Sequence, residues 1–334
     1  MCSPHHRRRR HILLLLIIFV ALLLSFSSSS SGNYILVDPS GRGNFTTIQA
    51  AINAVPSHNT KWTCVHIKQG LYREQVRIPM EKPFIYLKGE GKKNTYVVWD
   101  AHDSIATSAT FSSEADNTIA KCITFVNSYN SPPNNKRPMK TAVAAMIQGD
   151  KSAFYRCGFF GFQDTLWDVA GRHYFKLCSI QGAVDFIFGA GQSLYERCTI
   201  SVVAGSLPNG VPGYITAQGR SSNKETNGFV FKECKIVGNG NTYLGRAWRD
   251  YARVLFYNSS MSEIIVPQGW DSWYNVGREY QLTFAEHSCK GLGSDMARRV
   301  KWIKKLSPRY LNHLTSFSFI DDRQGWMRKL PFHI

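Results

Sequence analysis

Apolar and polar residues alternate along this chain in short bursts of four or five positions, and most bursts end on a cysteine. Five segments share the pattern: residues 117–125, 152–161, 173–182, 193–200 and 229–238, with Cys122, Cys157, Cys178, Cys198 and Cys234 in the same slot. Residues 254–259 read as a sixth copy, with Ser259 in that slot. Period-two alternation over so few residues argues for strand rather than helix. The slots fall 35, 21, 20, 36 and 25 residues apart. A period of roughly 20–25, stretched by inserted loops, suits short strands wound into coils. The fold class predicted is therefore all-β, a right-handed single-stranded parallel β-helix. A β-sandwich also gives short alternating runs, but it does not explain why one slot recurs as cysteine.

The two ends depart from the repeat. Thr46-Thr-Ile-Gln49 reads as a capping box, followed by Ala50, Ala51, Ile52 and Ala54 and stopped by Pro56. A short N-terminal capping helix of about ten residues is predicted there, closing the open end of the solenoid. Residues 296–334 are weakly periodic and are expected to pack along the outside of the coils. Before the repeat come four arginines at 7–10, an unbroken run of thirteen apolar residues at 12–24, and serines at 27–31. That order is a secretory signal, shorter than the roughly 20 residues of a membrane span. Residues 1–31 are thus expected to be a signal peptide cut between Ser25 and Gly32, and residues 32–334 one solenoid domain. An uncleaved membrane anchor is the alternative.

Charge and cysteines sharpen this picture. Of 40 Lys and Arg, four leave with the signal; the 36 that remain face 23 Asp and Glu, a balance of +13. Such an excess favours a polyanionic partner. Export points to an acidic extracellular polymer, and no nucleic-acid motif occurs. Seven cysteines remain after Cys2 is removed, an odd number in an oxidising compartment. Cys198 and Cys234 hold the same slot on either side of a long insertion, so a disulfide between them is expected; Cys157 and Cys178 pair on the same logic or stay free. No C-x-x-C motif points to zinc, and no metal or cofactor is expected. Asn44 and Asn258 begin glycosylation sequons.

The repeat also places chemistry. Asp164 follows Cys157 by seven residues, and Asp185 follows Cys178 by seven. Two carboxylates at one phase of adjacent coils sit about 5 Å apart, and they do not ionise independently. A neutral acid beside a carboxylate serves acid–base or nucleophilic catalysis. Equally, both aspartates could simply turn the chain. Gln163 adds amide donors, Phe186 and Phe188 follow the second aspartate, and Arg246 stands in Leu244-Gly-Arg-Ala-Trp248 beside a tryptophan able to stack on a sugar. Together these make a carbohydrate site. No G-x-S-x-G elbow or H-E-x-x-H helix is present.

From Tyr34 onward the chain resembles the pectin methylesterases, the pectinesterase family, in a plant-type short form without the inhibitor-like pro-region. The resemblance rests on Gly70-Leu-Tyr-Arg-Glu74, Gly161-Phe-Gln-Asp-Thr-Leu-Trp167, Asp185-Phe-Ile-Phe-Gly189, Thr216-Ala-Gln-Gly-Arg220 and Leu244-Gly-Arg-Ala-Trp248, in that order. It implies a carboxylic ester hydrolase that demethylates homogalacturonan in the cell wall. It implies Asp185 as nucleophile, Asp164 as proton donor and then base, and Gln163 as oxyanion donor. Arg246 would hold Asp185, and Trp248 would stack on substrate. Trp167, Phe188 and Trp273 would be further aromatic walls, though plain core is a second reading for Phe188. The partners implied are methyl-esterified homogalacturonan and a proteinaceous pectinesterase inhibitor; a monomer is expected, with no nucleic-acid partner and no membrane attachment after signal cleavage.

Two positions depart from the family pattern. Thr141 stands where a second oxyanion glutamine is expected, which predicts either a water that bridges the gap or slower turnover. Ala247 replaces a common proline and is expected to loosen Arg246. Thr141 also motivates a rival from another class, a catalytically weak or inactive relative that binds pectin or an inhibitor. A chain-cleaving polygalacturonase or lyase would need more clustered acids; the one adjacent acidic pair, Asp321-Asp322, lies outside the repeats.

Overall fold

Each burst of alternation becomes a strand paired in parallel with the burst one coil away. A computed structural model describes residues 33–131, 138–321 and 324–332; the proposed signal peptide lies outside them. The strands form three sheets of ten, eight and eight, with successive coils as neighbours in each. This is the predicted parallel β-helix, with the crossover hand that parallel strands adopt.

Alternation decides which side chains point inward. In the ten-stranded sheet one inward row holds Phe154, Phe175, Tyr195, Phe231 and Phe256. Their rings stack at centroid separations of 4.9, 4.6, 4.6 and 4.5 Å. That matches one strand spacing, so each ring covers the next, and each burial contributes about 1.5–3 kcal/mol. Outward-facing Tyr86, Ile119, Tyr174, Leu194 and Leu255 are covered by Leu314, Phe319, Ile320 and Trp326 from the C-terminal segment. That segment, including the helix Pro308–Thr315, packs outside the coils as expected.

One corner recurs where the ten-stranded sheet ends. Arg156, Leu177, Arg197, Glu233, Asn258 and Ser288 all adopt left-handed backbone, with φ from 46° to 55°. The next residue turns inward. Cys178 donates to the Phe154 carbonyl at 3.4 Å, Cys198 to Phe175 at 3.4 Å and Cys234 to Tyr195 at 3.3 Å. Ser259 fills the slot as predicted, donating to Phe231 at 3.3 Å. Cys289 fills a further slot that the sequence pattern did not reveal.

Two expectations about cysteine are corrected here. Cys122 is not in the slot, because pairing of Tyr155 with Lys121 and of Gly158 with Thr124 brings Ile123 opposite Cys157. Cys122 takes the left-handed corner instead, at φ 59°; a slip of one residue exchanges inward and outward positions. The disulfide between Cys198 and Cys234 is not formed. Both thiols are free, each directed at a carbonyl one coil back rather than at the other sulfur. Burial holds the Cys157, Cys178 and Cys198 thiols well above their usual pKa, so these are unreactive groups.

The N-terminal helix is Ile48–Ala54, shorter than expected. Its cap is Thr47 rather than Thr46, accepting from the Ala50 amide at 3.3 Å. Gln49 does not close a capping box. Glu74 does that work: its two carboxylate oxygens accept from the amides of Ile48 and Gln49 at 2.8 and 2.9 Å, placing negative charge at the positive helix end. Lys82 donates to the carbonyls of Ile52, Asn53 and Val55 at the other end. Held at both termini, the helix buries Ile48, Ala51 and Ile52 in the same core as the first strands.

Candidate active site

The second eight-stranded sheet carries the candidate residues. Register aligns Arg77, Ser112, Met146, Trp167, Phe188, Ala217, Arg246 and Asp271 as one row across its eight strands. Asp164 and Asp185 lie two residues before the strands Leu166–Asp168 and Ile187–Gly189. The Asp164 amide donates to the Val184 carbonyl at 3.1 Å, and Gln163 bridges to Val184. The aspartates therefore share one phase of adjacent coils, about 4.8 Å apart along the backbone stack. Both are left-handed, at φ 59° and 48°, a conformation aspartate accepts more readily than most residues. The aspartates do turn the chain, and the same turns present both carboxylates at one phase.

Asp185 is only 9% exposed. Arg246 grips it with a two-pronged bond, Nε to Oδ1 at 2.8 Å and Nη2 to Oδ2 at 2.5 Å, the strongest common geometry for such a pair. The guanidinium lies between two rings, 4.2 Å from the centre of Tyr214 and 3.8 Å from that of Trp273. Asp271 ties this sandwich together, accepting from the Tyr214 hydroxyl at 3.1 Å and the Trp273 amide at 2.7 Å. Trp273 itself is left-handed, φ 52°, a conformation that bulky residues adopt only where their surroundings enforce it.

Burial is the largest influence on both carboxyl groups, and it raises both pKa values. At Asp185 the Arg246 fork opposes it. Asp164 is pushed up to about 7 by burial; the Thr141 hydroxyl pulls it back and the Asp185 charge pushes it further. Near neutrality the pair can hold one carboxylic acid beside one carboxylate, the division that acid–base chemistry needs.

Several sequence expectations change in detail. Thr141 is not an idle substitute for an oxyanion donor: its hydroxyl donates to Asp164 Oδ2 at 2.7 Å. Ala247 is buried within the strand Thr242–Ala247, and the fork and both rings hold the Arg246 guanidinium. Trp273 is not a free wall but a lid on Arg246. Phe188 is 4% exposed and outside the coil interior. It stacks on Trp167 at 5.7 Å and meets Trp248 edge-on at 6.0 Å, so it backs the two half-buried tryptophans. Gly219 lets Trp248 lie close: a Cβ there would stand 2.9 Å from Trp248 Cε3. Tyr214 and Asp271 were not anticipated; their link to Arg246 exists only across coils.

No group of three or more His, Cys, Asp or Glu among the described residues is placed to hold a metal ion. No helix among them is long and apolar enough to cross a membrane.

The pectinesterase family model matches residues 34–323. "Probable pectinesterase 29" of Arabidopsis thaliana is 57% identical over 300 residues, covering 89% of each chain. "Probable pectinesterase 55" of the same plant is 56% identical over 303 residues, covering 90% of this chain and 92% of the relative. The solved pectin methylesterase from carrot superposes with a TM-score of 0.82 at 29% identity, covering 92% of this chain and 99% of that one.

Proposed function

The chain belongs to the pectinesterase family, and from that premise we propose how its aspartate pair hydrolyses the methyl esters of homogalacturonan. The Asp185 carboxylate attacks the ester carbonyl carbon, and the Gln163 amide donates to the oxyanion that forms. The carbon–methoxy bond breaks as Asp164, in its acid form, gives its proton to the departing oxygen. Methanol leaves, and the galacturonyl group stays on Asp185 as an anhydride. Asp164 is now a carboxylate and takes a proton from water, whose oxygen attacks the galacturonyl carbon. The bond to Asp185 breaks, Asp185 regains its charge, and Asp164 is protonated again. The product acid releases its own proton to solvent.

The observation that carries this proposal is the unequal environment of two aspartates at one phase of adjacent coils. Asp185 is forked by an arginine, and Asp164 is buried with its pKa near 7. Trp248 and Trp167, backed by Phe188, supply apolar faces for sugar rings. The test is methanol release from methyl-esterified homogalacturonan, with circular dichroism as the folding check. Asp185→Asn and Asp164→Asn should each abolish most turnover. Near-normal release from either variant removes that residue from the mechanism.

Secretion to the cell wall, with residues 1–31 removed, and recognition by an inhibitor protein complete the proposal. Asn44 and Asn258, both exposed, are its glycosylation sites. N-terminal sequencing and intact mass of protein exported from plant cells test cleavage and glycosylation directly.

A further inference from the structure

A second charged surface runs along a different corner of the coils from the aspartates. In the outward row that ends the ten-stranded sheet, register aligns Lys88, Lys121, Tyr155, Lys176, Glu196 and Lys232 on successive coils. Where Tyr155 and Glu196 interrupt the lysines, the next residue is Arg156 or Arg197, at the left-handed corner. Six successive coils therefore each present a cation, over about 24 Å at one strand spacing per coil. Lys235 extends the row past the corner, and Lys92 crosses it, donating to Ser179 at 2.9 Å.

These cations differ from others in the chain. Arg77, Lys140, Arg172, Arg246 and Arg299 each face a carboxylate. Among the described residues, none of the six on the ridge forms an ion pair; Lys121 lies over the rings of Tyr155 and Phe332 instead. The acids on the ridge are Glu196, which accepts from the Tyr174 hydroxyl at 3.0 Å, and exposed Glu233. The strand Ser179–Gly182 separates Lys176 from the turn that bears Asp185, so the ridge does not line the catalytic cleft.

We propose that this ridge binds polygalacturonate, the anionic polymer that ester hydrolysis leaves behind. The inference rests on the proposed reaction for its choice of polyanion. A methyl-esterified sugar is neutral, and each turnover adds one carboxylate per sugar to the strand. A row of unpaired cations, one per coil, attracts such a strand only after it has been demethylated. The enzyme is then held on product while its cleft, at another corner, meets neighbouring esterified chains.

The experiment uses the secreted enzyme and a variant carrying Lys88→Gln, Arg156→Gln, Lys176→Gln, Arg197→Gln and Lys232→Gln. Affinity for fully de-esterified polygalacturonate is measured at low and physiological salt, and turnover on a short methyl-esterified oligomer in parallel. Five charges, three exposed and two half-buried, at a fraction of a kcal/mol each predict an affinity loss of about tenfold or more, with a flatter salt dependence and unchanged turnover on the oligomer. Should the fivefold variant misfold, Lys88→Glu with Arg197→Glu, both at exposed positions, gives the same readout. Unchanged affinity overturns the ridge. So does binding that is lost in Trp248→Ala and kept in the ridge variant, since the polymer would then occupy the cleft. A wild type that releases no methanol, but whose ridge variant still loses affinity, overturns the reaction and leaves the ridge standing.

Discussion

Thr141, from the coil before Asp164, donates its hydroxyl to that aspartate's Oδ2 at 2.7 Å. The bond favours the ionised carboxyl and so works against burial, which pushes Asp164 up to about 7.

The first step needs Asp164 protonated, so kcat/KM should fall as pH rises through about 7. Thr141→Val removes a donor to the charged form, which leaves Asp164 harder to ionise. Its alkaline limb should therefore lie at higher pH than that of the wild type, with the fold unchanged. Because the two carboxyls interact, the limb reports the pair rather than one residue. Identical alkaline limbs in the two proteins would mean that the Thr141 bond does not tune the acid.

Asp164 should also cost stability at alkaline pH. Its folded pKa of about 7 lies above the ordinary value of 3.8. Between these values the folded protein keeps a proton that the unfolded chain has released, so rising pH favours unfolding across that window. Asn does not ionise and can still accept from Thr141. Asp164→Asn is therefore expected to melt above the wild type at pH 8, with the gain shrinking to nothing below pH 4. An equal Tm difference at both pH values would assign the effect to packing instead.

Arg246→Lys replaces a planar fork by a single ammonium that cannot bond both oxygens of Asp185 in the same way. Turnover should fall on the order of tenfold to a hundredfold. The acid limb of kcat/KM should move up, because burial then acts on Asp185 with less opposition. A lower rate with an unmoved acid limb would show that Arg246 positions Asp185 without controlling its charge.

Gly219→Ala places a methyl group 2.9 Å from the Trp248 ring, which must shift. With Trp248 as a binding platform, KM for pectin oligomers should rise by about tenfold, or 1.4 kcal/mol, with kcat little changed. A fall in kcat at constant KM would put Trp248 in the chemistry rather than in binding.

What the sequence made legible follows from what repeats. Small inward residues at Cys157, Cys178, Cys198, Cys234 and Ser259 betray the coils because only a short side chain there reaches the carbonyl one coil back. The equal offsets of Asp164 and Asp185 survive because no insertion separates their coils. Cys122 misled because a cysteine happens to stand one position early, and only backbone pairing shows the slip. Tyr214, Asp271 and the packing of Trp273 on Arg246 were hidden, since loops of unequal length lie between them. The bond from Thr141 to Asp164 was hidden for another reason: the residue's identity was visible, but its partner depends on which way one hydroxyl turns.

The left-handed corner and the small inward side chain after it, cysteine or serine, recur on every coil from Arg156 to Ser288, although the chain between corners varies widely in length. Phase is thus reset once per turn, and an error introduced by a longer loop is not passed to the next coil. Insertions in this scaffold are local events. A lineage could lengthen the segment between Cys198 and Cys234, remodelling the rim of the cleft, while both aspartates stay opposed and the cations stay in line.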